Sequence, residues 1–154
     1  MSEQEGEGYL RYRRARFSTR LPTDRLYSKS HVWLREVEGG TWRVGHTKFA
    51  MRMLGEPVEI GFEVAPGEEV ERGQVIGWLE GFKAVTDLFT PMGGRFRGPN
   101  PELEQRIEAM MRRPYDEGWL YEVEGQPGDD LVGAGEYASY LDGTIDKAMG
   151  RDAV

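Results

Sequence analysis

The chain carries 16 arginines but only four lysines, Lys29, Lys48, Lys83 and Lys147. Lys83 stands between two β-patterned runs, Gln74–Glu80 and Val85–Thr90, where a turn must expose it. An acyl-transfer enzyme can convert a primary amine to an amide, whereas guanidinium is too delocalised and too basic to act as a nucleophile. Taken alone, such a lysine is equally a plain surface residue of a hairpin. Other catalytic constellations are missing. The chain has no cysteine, which excludes a thiol nucleophile, a disulfide scaffold and every Cys-based zinc or iron–sulfur site. Two histidines, His31 and His46, are too few for a His-rich metal centre. Of the serines Ser2, Ser18, Ser28, Ser30 and Ser139, none lies in a G-x-S-x-G context. The 21 glycines are spread through turns and form no phosphate cradle. Acids are abundant, but no pair is set by spacing for acid–base work. These features do not describe a self-sufficient enzyme, and no metal site is expected.

The elements that would hold Lys83 are short strands broken by glycine and proline. Trp42–His46 and Val58–Phe62 alternate with period two, as strands do. Between them Thr47 is placed to cap a short helix through Leu54, ended by Gly55. Pro66-Gly67 and Gly73 are turn signals before the Gln74 strand. After Thr90 come Pro91-Met-Gly-Gly94, a strand at Arg95–Arg97 and a last strand at Trp119–Val123. Many short strands at this spacing indicate a small β-barrel or sandwich. Two helices are expected beside it. Asn100-Pro101-Glu102 starts one, with Leu103, Ile107, Met110 and Met111 on a single apolar face. Glu136–Met149 forms the other, with Tyr137, Leu141, Ile145 and Ala148 sharing a face around a destabilising Gly143.

At 154 residues and 38% hydrophobic composition, the chain fits one domain with some decoration. Its net charge of −7 divides unevenly, +2 over residues 1–25 and −9 over residues 26–154. Residues 1–25 hold six arginines and read as a basic N-terminal extension ahead of the domain. The stretch Tyr9–Phe17 mixes aromatics with arginines in a way that can touch RNA, but the acidic body argues against a nucleic-acid partner. The polar, acidic first eight residues are no signal peptide, and no run is long enough to span a membrane. The expected location is the cytoplasm.

The run Glu80-Gly-Phe-Lys83-Ala84-Val-Thr-Asp87-Leu-Phe-Thr-Pro91-Met-Gly-Gly94 resembles the lipoyl-attachment hairpin of the glycine cleavage system H protein family. Upstream, Tyr27-Ser-Lys-Ser-His31-Val-Trp33-Leu34 looks like that family's first strand, and Val44-Gly45-x-Thr47 with Ala50 and Leu54-Gly55 like its next strand and helix. Pro66-Gly67-x-x-Val70-x-x-Gly73 is similar to the hairpin that mirrors the lipoyl one. Asn100, Leu103, Pro114-Tyr115 and Gly118-Trp119 recur downstream. The resemblance covers residues 26–148, leaving 149–154 as a tail.

This resemblance implies a mainly β fold, a barrel-sandwich hybrid of two half-barrels with short decorating helices. It implies lipoate held covalently as N6-lipoyllysine on Lys83, flanked by Glu80, Phe82, Ala84 and Asp87. Biotinyl carriers share the fold but place methionine on both sides of the lysine, so Phe82 and Ala84 favour lipoate. The implied partners are a lipoate ligase or lipoyl transferase, a glycine decarboxylase, an aminomethyltransferase and dihydrolipoamide dehydrogenase, between which the arm shuttles an aminomethyl group. The protein itself would catalyse nothing. His31 has two readings, a residue near the arm or an imidazole hydrogen-bonded within its strand. Three departures are visible: Ser30 and Val32 replace acids, Gly81-Phe82 replaces small residues before the lysine, and Ile107 and Met111 replace a proline and an asparagine. They keep open an H-like lipoate-binding carrier serving another pathway, such as sulfur oxidation or lipoyl relay, and an unmodified interaction module.

Overall fold

The computed structural model describes residues 8–153, with side chains to residue 150. It is β-rich, with helices packed beside three antiparallel sheets. A two-stranded hairpin pairs β1 (Tyr9–Arg14) with β2 (Phe17–Pro22). The six-stranded sheet runs β3 (Leu26–Ser28), β4 (Val32–Glu38), β5 (Thr41–His46), β11 (Tyr121–Glu124), β10 (Gly94–Pro99) and β7 (Glu69–Val70). The third sheet places β8 (Val75–Gly81) between β6 (Pro57–Phe62) and β9 (Val85–Phe89). Residues from the larger two sheets meet in one core, where Leu34, Val44, Ile76, Leu79, Phe96, Tyr121 and Val123 are buried together. No helix among the described residues is long and apolar enough to cross a membrane.

The short helix α1 (Lys48–Leu54) forms as its caps dictate. Thr47 accepts a hydrogen bond from Ala50 N, and Gly55, at φ +85°, donates its backbone N–H to Met51 O. Phe49, Met51 and Leu54 turn inward. The helix expected from Asn100 is instead two pieces, a 3-10 turn at Pro101–Glu104 and α2 (Ala109–Arg112). Leu103 and Met110 both reach the core, but Glu104, Gln105 and Arg106 between them are exposed. Ile107, half-buried between Leu103 and Met110, packs against the core as well, so the apolar face is kept although the helix is interrupted after Glu104. The strand expected over Tyr27–Leu34 is a hairpin of β3 and β4, broken at a turn where His31 takes φ +70°.

The larger difference lies at the N-terminus. Where a basic extension was expected over residues 1–25, residues 9–22 fold as a hairpin with strict alternation. Leu10, Tyr12, Phe17, Thr19 and Leu21 are buried, and Arg11, Arg13, Ser18 and Arg20 are exposed. The buried face joins Tyr27, Trp33 and Phe49 in a second core, closed by α3 (Ala134–Ala153) through Tyr137, Leu141 and Ile145. Tyr12 Oη donates to Asp142, and Arg14 pairs with Asp142 and Asp146. Apolar burial supplies the driving force, which explains why a segment with six arginines still packs. The helix starts before Glu136 and runs through the expected tail to Ala153, although Ala148 is exposed. The acids Glu3, Glu5 and Glu7 lie outside the described residues.

Candidate functional site

Glu80, Phe82, Lys83, Ala84 and Asp87 sit on one hairpin, the β8–β9 connection. Gly81 N–H donates to Ala84 O at 2.8 Å and closes the turn. The end of α1 braces it from below: Lys83 N–H donates to Leu54 O at 2.9 Å, and Phe82 N–H to Glu56 O at 3.0 Å. This bracing requires two glycines. A Cβ on Gly81 would fall 2.4 Å from Leu54 O, and one on Gly55 would fall 2.9 Å from Lys83 Cγ. The turn is thereby a fixed platform, with its side chains pointing out. Phe82 is 80% exposed and Val85 68% exposed, and Lys83 and Ala84 are exposed beside them.

The Lys83 ammonium donates to Arg52 O at 3.1 Å, near the C-terminal end of α1, where the helix dipole favours a cation. It has no carboxylate partner among the described residues. Two of the other three lysines are held differently. Lys48 Nζ donates to Ser18 O at 2.7 Å, and Lys29 lies over the Tyr140 ring. Glu80 is half-buried, paired across the sheet with Glu59 and Val85. Asp87 is exposed on β9 opposite Trp78.

Beside β9 opens a small cleft of about 190 Å³. Leu88, Leu120 and Tyr121 give it an apolar floor, and Ser30, His46 and Asp87 supply its polar groups. Val32 and His46 are opposite each other in the β4–β5 register, so both reach this cleft. His46 Nδ1 is buried without a hydrogen-bond partner among the described residues. Burial pushes the His46 imidazole down to about 4, with a smaller repulsion from His31, so it is neutral at pH 7. His46 thus lines the cleft as an uncharged imidazole whose Nδ1 is enclosed.

His31 belongs elsewhere. Its Nδ1 lies 2.8 Å from Tyr137 Oη, and its ring packs between Phe49 of the second core and the exposed Tyr140. Burial pushes it down to about 4 as well. This is a structural imidazole joining the β3–β4 turn to α3, outside the contacts of Lys83. His46 was not singled out by sequence reading. Its only sequence signal is the alternation of β5, which becomes informative once the register sets it opposite Val32.

A lipoyl group on Lys83 suits these surroundings. The amine is exposed, Phe82, Val85 and Phe89 offer apolar surface beside it, and the cleft adds an apolar floor with a few polar groups. The family model described as "Glycine cleavage H-protein" matches residues 25–143. The chain belongs to this family. A glycine cleavage system H protein from Corynebacterium jeikeium is 40% identical over 122 residues, covering 77% of this chain and 95% of the relative. One from Rubrobacter xylanophilus is 36% identical, over 79% of this chain and 95% of the relative. The crystal structure of a glycine cleavage system H protein from Mycobacterium marinum superposes with a TM-score of 0.72 at 32% identity, covering 79% of this chain and 98% of that one. As an H-protein family member the chain is a non-catalytic lipoyl carrier that shuttles its cargo within the glycine cleavage system. The matched region begins after the β1–β2 hairpin, which the family model does not include.

Proposed function

We infer that Lys83 is the attachment point of the lipoyl arm and that the cleft beside β9 receives the arm's loaded end. The observation that carries this is the braced turn: Lys83 is held by backbone bonds to Leu54 while its amine stays exposed. A tether must be rigid at its root and free at its tip if one arm is to meet several enzymes at high effective concentration. When bound, the lipoyl group supplies a dithiolane disulfide that is opened as cargo is taken up and closed again by oxidation. The chain's own residues bind and orient. Lys83 contributes the amide link, Phe82 and Val85 shield the base of the arm, and Glu80 and Asp87 keep the turn hydrated and recognisable to a ligase. Within the cleft, Leu88, Leu120 and Tyr121 exclude water, while Asp87 can pair with a protonated amine.

The finer fold reading, a barrel-sandwich hybrid of two half-barrels, is supported by the facing of the six- and three-stranded sheets around one core. The specific partners follow from the family role: a lipoate ligase or lipoyl transferase, a glycine decarboxylase, an aminomethyltransferase and dihydrolipoamide dehydrogenase. Co-expression with a lipoate ligase in the presence of lipoate tests the site. Intact mass should rise by one lipoyl amide, and Lys83→Arg should abolish the gain. Modification of Lys29, Lys48 or Lys147 instead would overturn the assignment.

A further inference from the structure

The basic N-terminal segment separates into two sets of arginines. Arg14 and Arg25 are paired, with Asp142 and Asp146 and with Asp24. Arg11, Arg13 and Arg20 point the other way, from the exposed face of the β1–β2 hairpin. Arg11 and Arg20 are direct cross-strand partners, an arrangement of like charges that destabilises a hairpin. The three line a groove of about 780 Å³, joined by Lys48, whose ammonium donates to Ser18 O on β2, and by Arg112 at the end of α2. Among the described residues no carboxylate lines it. Among the described residues none of these four arginines forms an ion pair. The floor between the cations is apolar and aromatic, from Met111, Pro114 and Tyr115.

We propose that this groove docks an acidic polypeptide segment of a partner protein. Five cations facing one concavity, on a chain whose residues 26–154 carry −9, make a local field opposite in sign to the rest of the surface. The apolar floor suits a chain that alternates carboxylates with apolar side chains. A nucleic acid fits less well, because its evenly spaced phosphates would run off the groove onto an acidic body. The hairpin lies outside the region matched by the family model, so the recognition is a property of this chain. Its position gives it a use. Lys48 lines the groove at one end of α1, and the carbonyls of Arg52 and Leu54 hold Lys83 at the other. Seven residues of helix span about 10 Å, so a docked segment lies one short helix away from Lys83.

The proposal does not depend on acylation of Lys83, so the full unmodified chain tests it. The probe is a short fluorescein-labelled peptide of glutamates interspersed with leucine and glycine, followed by anisotropy at low salt. Wild type should bind it, and Arg11→Glu and Arg112→Glu, on separate elements, should each weaken binding about tenfold. Arg106→Glu, exposed but not lining the groove, makes the same charge change and should leave binding within about twofold. Arg11→Glu should melt no lower than wild type, since it would face Arg20, which confirms that lost binding is not lost folding. Equal loss in all three variants would mean diffuse charge attraction and overturn the proposal, as would absence of binding. Displacement of the peptide by an oligothymidylate of equal charge, or by inorganic phosphate, would make the groove a general anion site and also overturn it. A wild-type dimer in sedimentation, dispersed by Arg11→Glu, would assign the groove to a second copy of this chain instead.

Discussion

Gly55 and Lys83 are packed so closely that a single methyl group would separate them. A Cβ on Gly55 would sit 2.9 Å from Lys83 Cγ and 3.0 Å from Lys83 N, and the glycine holds φ +85°. The conformation and the space both exclude a side chain. Gly55→Ala should therefore cost about 1–3 kcal/mol of stability. It should also displace the turn from Leu54 O and slow lipoylation of Lys83 more than a comparably destabilising core variant does. Thermal melts with intact-mass time courses check both effects, and normal lipoylation in a destabilised Gly55→Ala protein would show that the brace is dispensable.

Deleting residues 1–22 should destabilise the protein severely. The loss uncovers Phe49, Tyr137, Leu141 and Ile145 and removes buried Leu10, Phe17 and Leu21. Each fully buried leucine or phenylalanine contributes about 1.5–3 kcal/mol. Leu21→Ala alone should cost about 2–5 kcal/mol in denaturant unfolding. A truncated chain that melts like wild type would return the segment to the status of a loose extension.

Both histidines should make the fold acid-sensitive. Burial holds each at about 4, below the unfolded value near 6.5, so the unfolded chain binds protons first as pH falls. Their contribution is full above pH 6.5 and is lost progressively between about 6.5 and 4, on the order of 2–3 kcal/mol per histidine. His46→Leu removes the unpartnered Nδ1 and should show a shallower fall in melting temperature over this window. A slope equal to wild type would mean that His46 titrates normally in the folded state.

Asp87 is the only carboxylate among the described residues lining the cleft beside β9. If amine-bearing cargo rests there, Asp87→Asn should shorten its retention on lipoylated protein about tenfold, and Ser30→Glu should lengthen it. Release rates measured with decarboxylase and aminomethyltransferase supplied from a standard glycine cleavage system decide the matter. Unchanged retention in both variants would place the cargo outside this cleft. Val32→Glu is a poorer probe, because Val32, 7% exposed, packs in the core as well as lining the cleft, so a carboxylate there would be largely desolvated.

The lysine turn and α1 were legible in the sequence because local chemistry decides them. Thr47 and Gly55 cap a helix by their own side chain and φ, and two period-two runs leave Lys83 no place but the turn. The β1–β2 hairpin was obscured by charge. Leu10 and Tyr12 alternate correctly, but six arginines dominate the segment, and the helix that buries it lies more than a hundred residues further on. The cleft depends on register in the same way, since His46 and Val32 meet only through the β4–β5 pairing. For the helix at Asn100 the apolar spacing was real, since Leu103, Ile107 and Met110 all reach the core, but continuity was not.

The fastening of Tyr12 and Arg14 to Asp142 and Asp146 sets an order for synthesis on the ribosome. The hairpin emerges more than a hundred residues before the helix that covers its apolar face. Over that interval Leu10, Phe17 and Leu21 have no lid. Until then an isolated two-stranded hairpin is marginal in water, so its strands become an open edge that the nascent chain must keep from sticking to neighbours. The exposed arginines on its other face repel like-charged copies and so oppose that sticking.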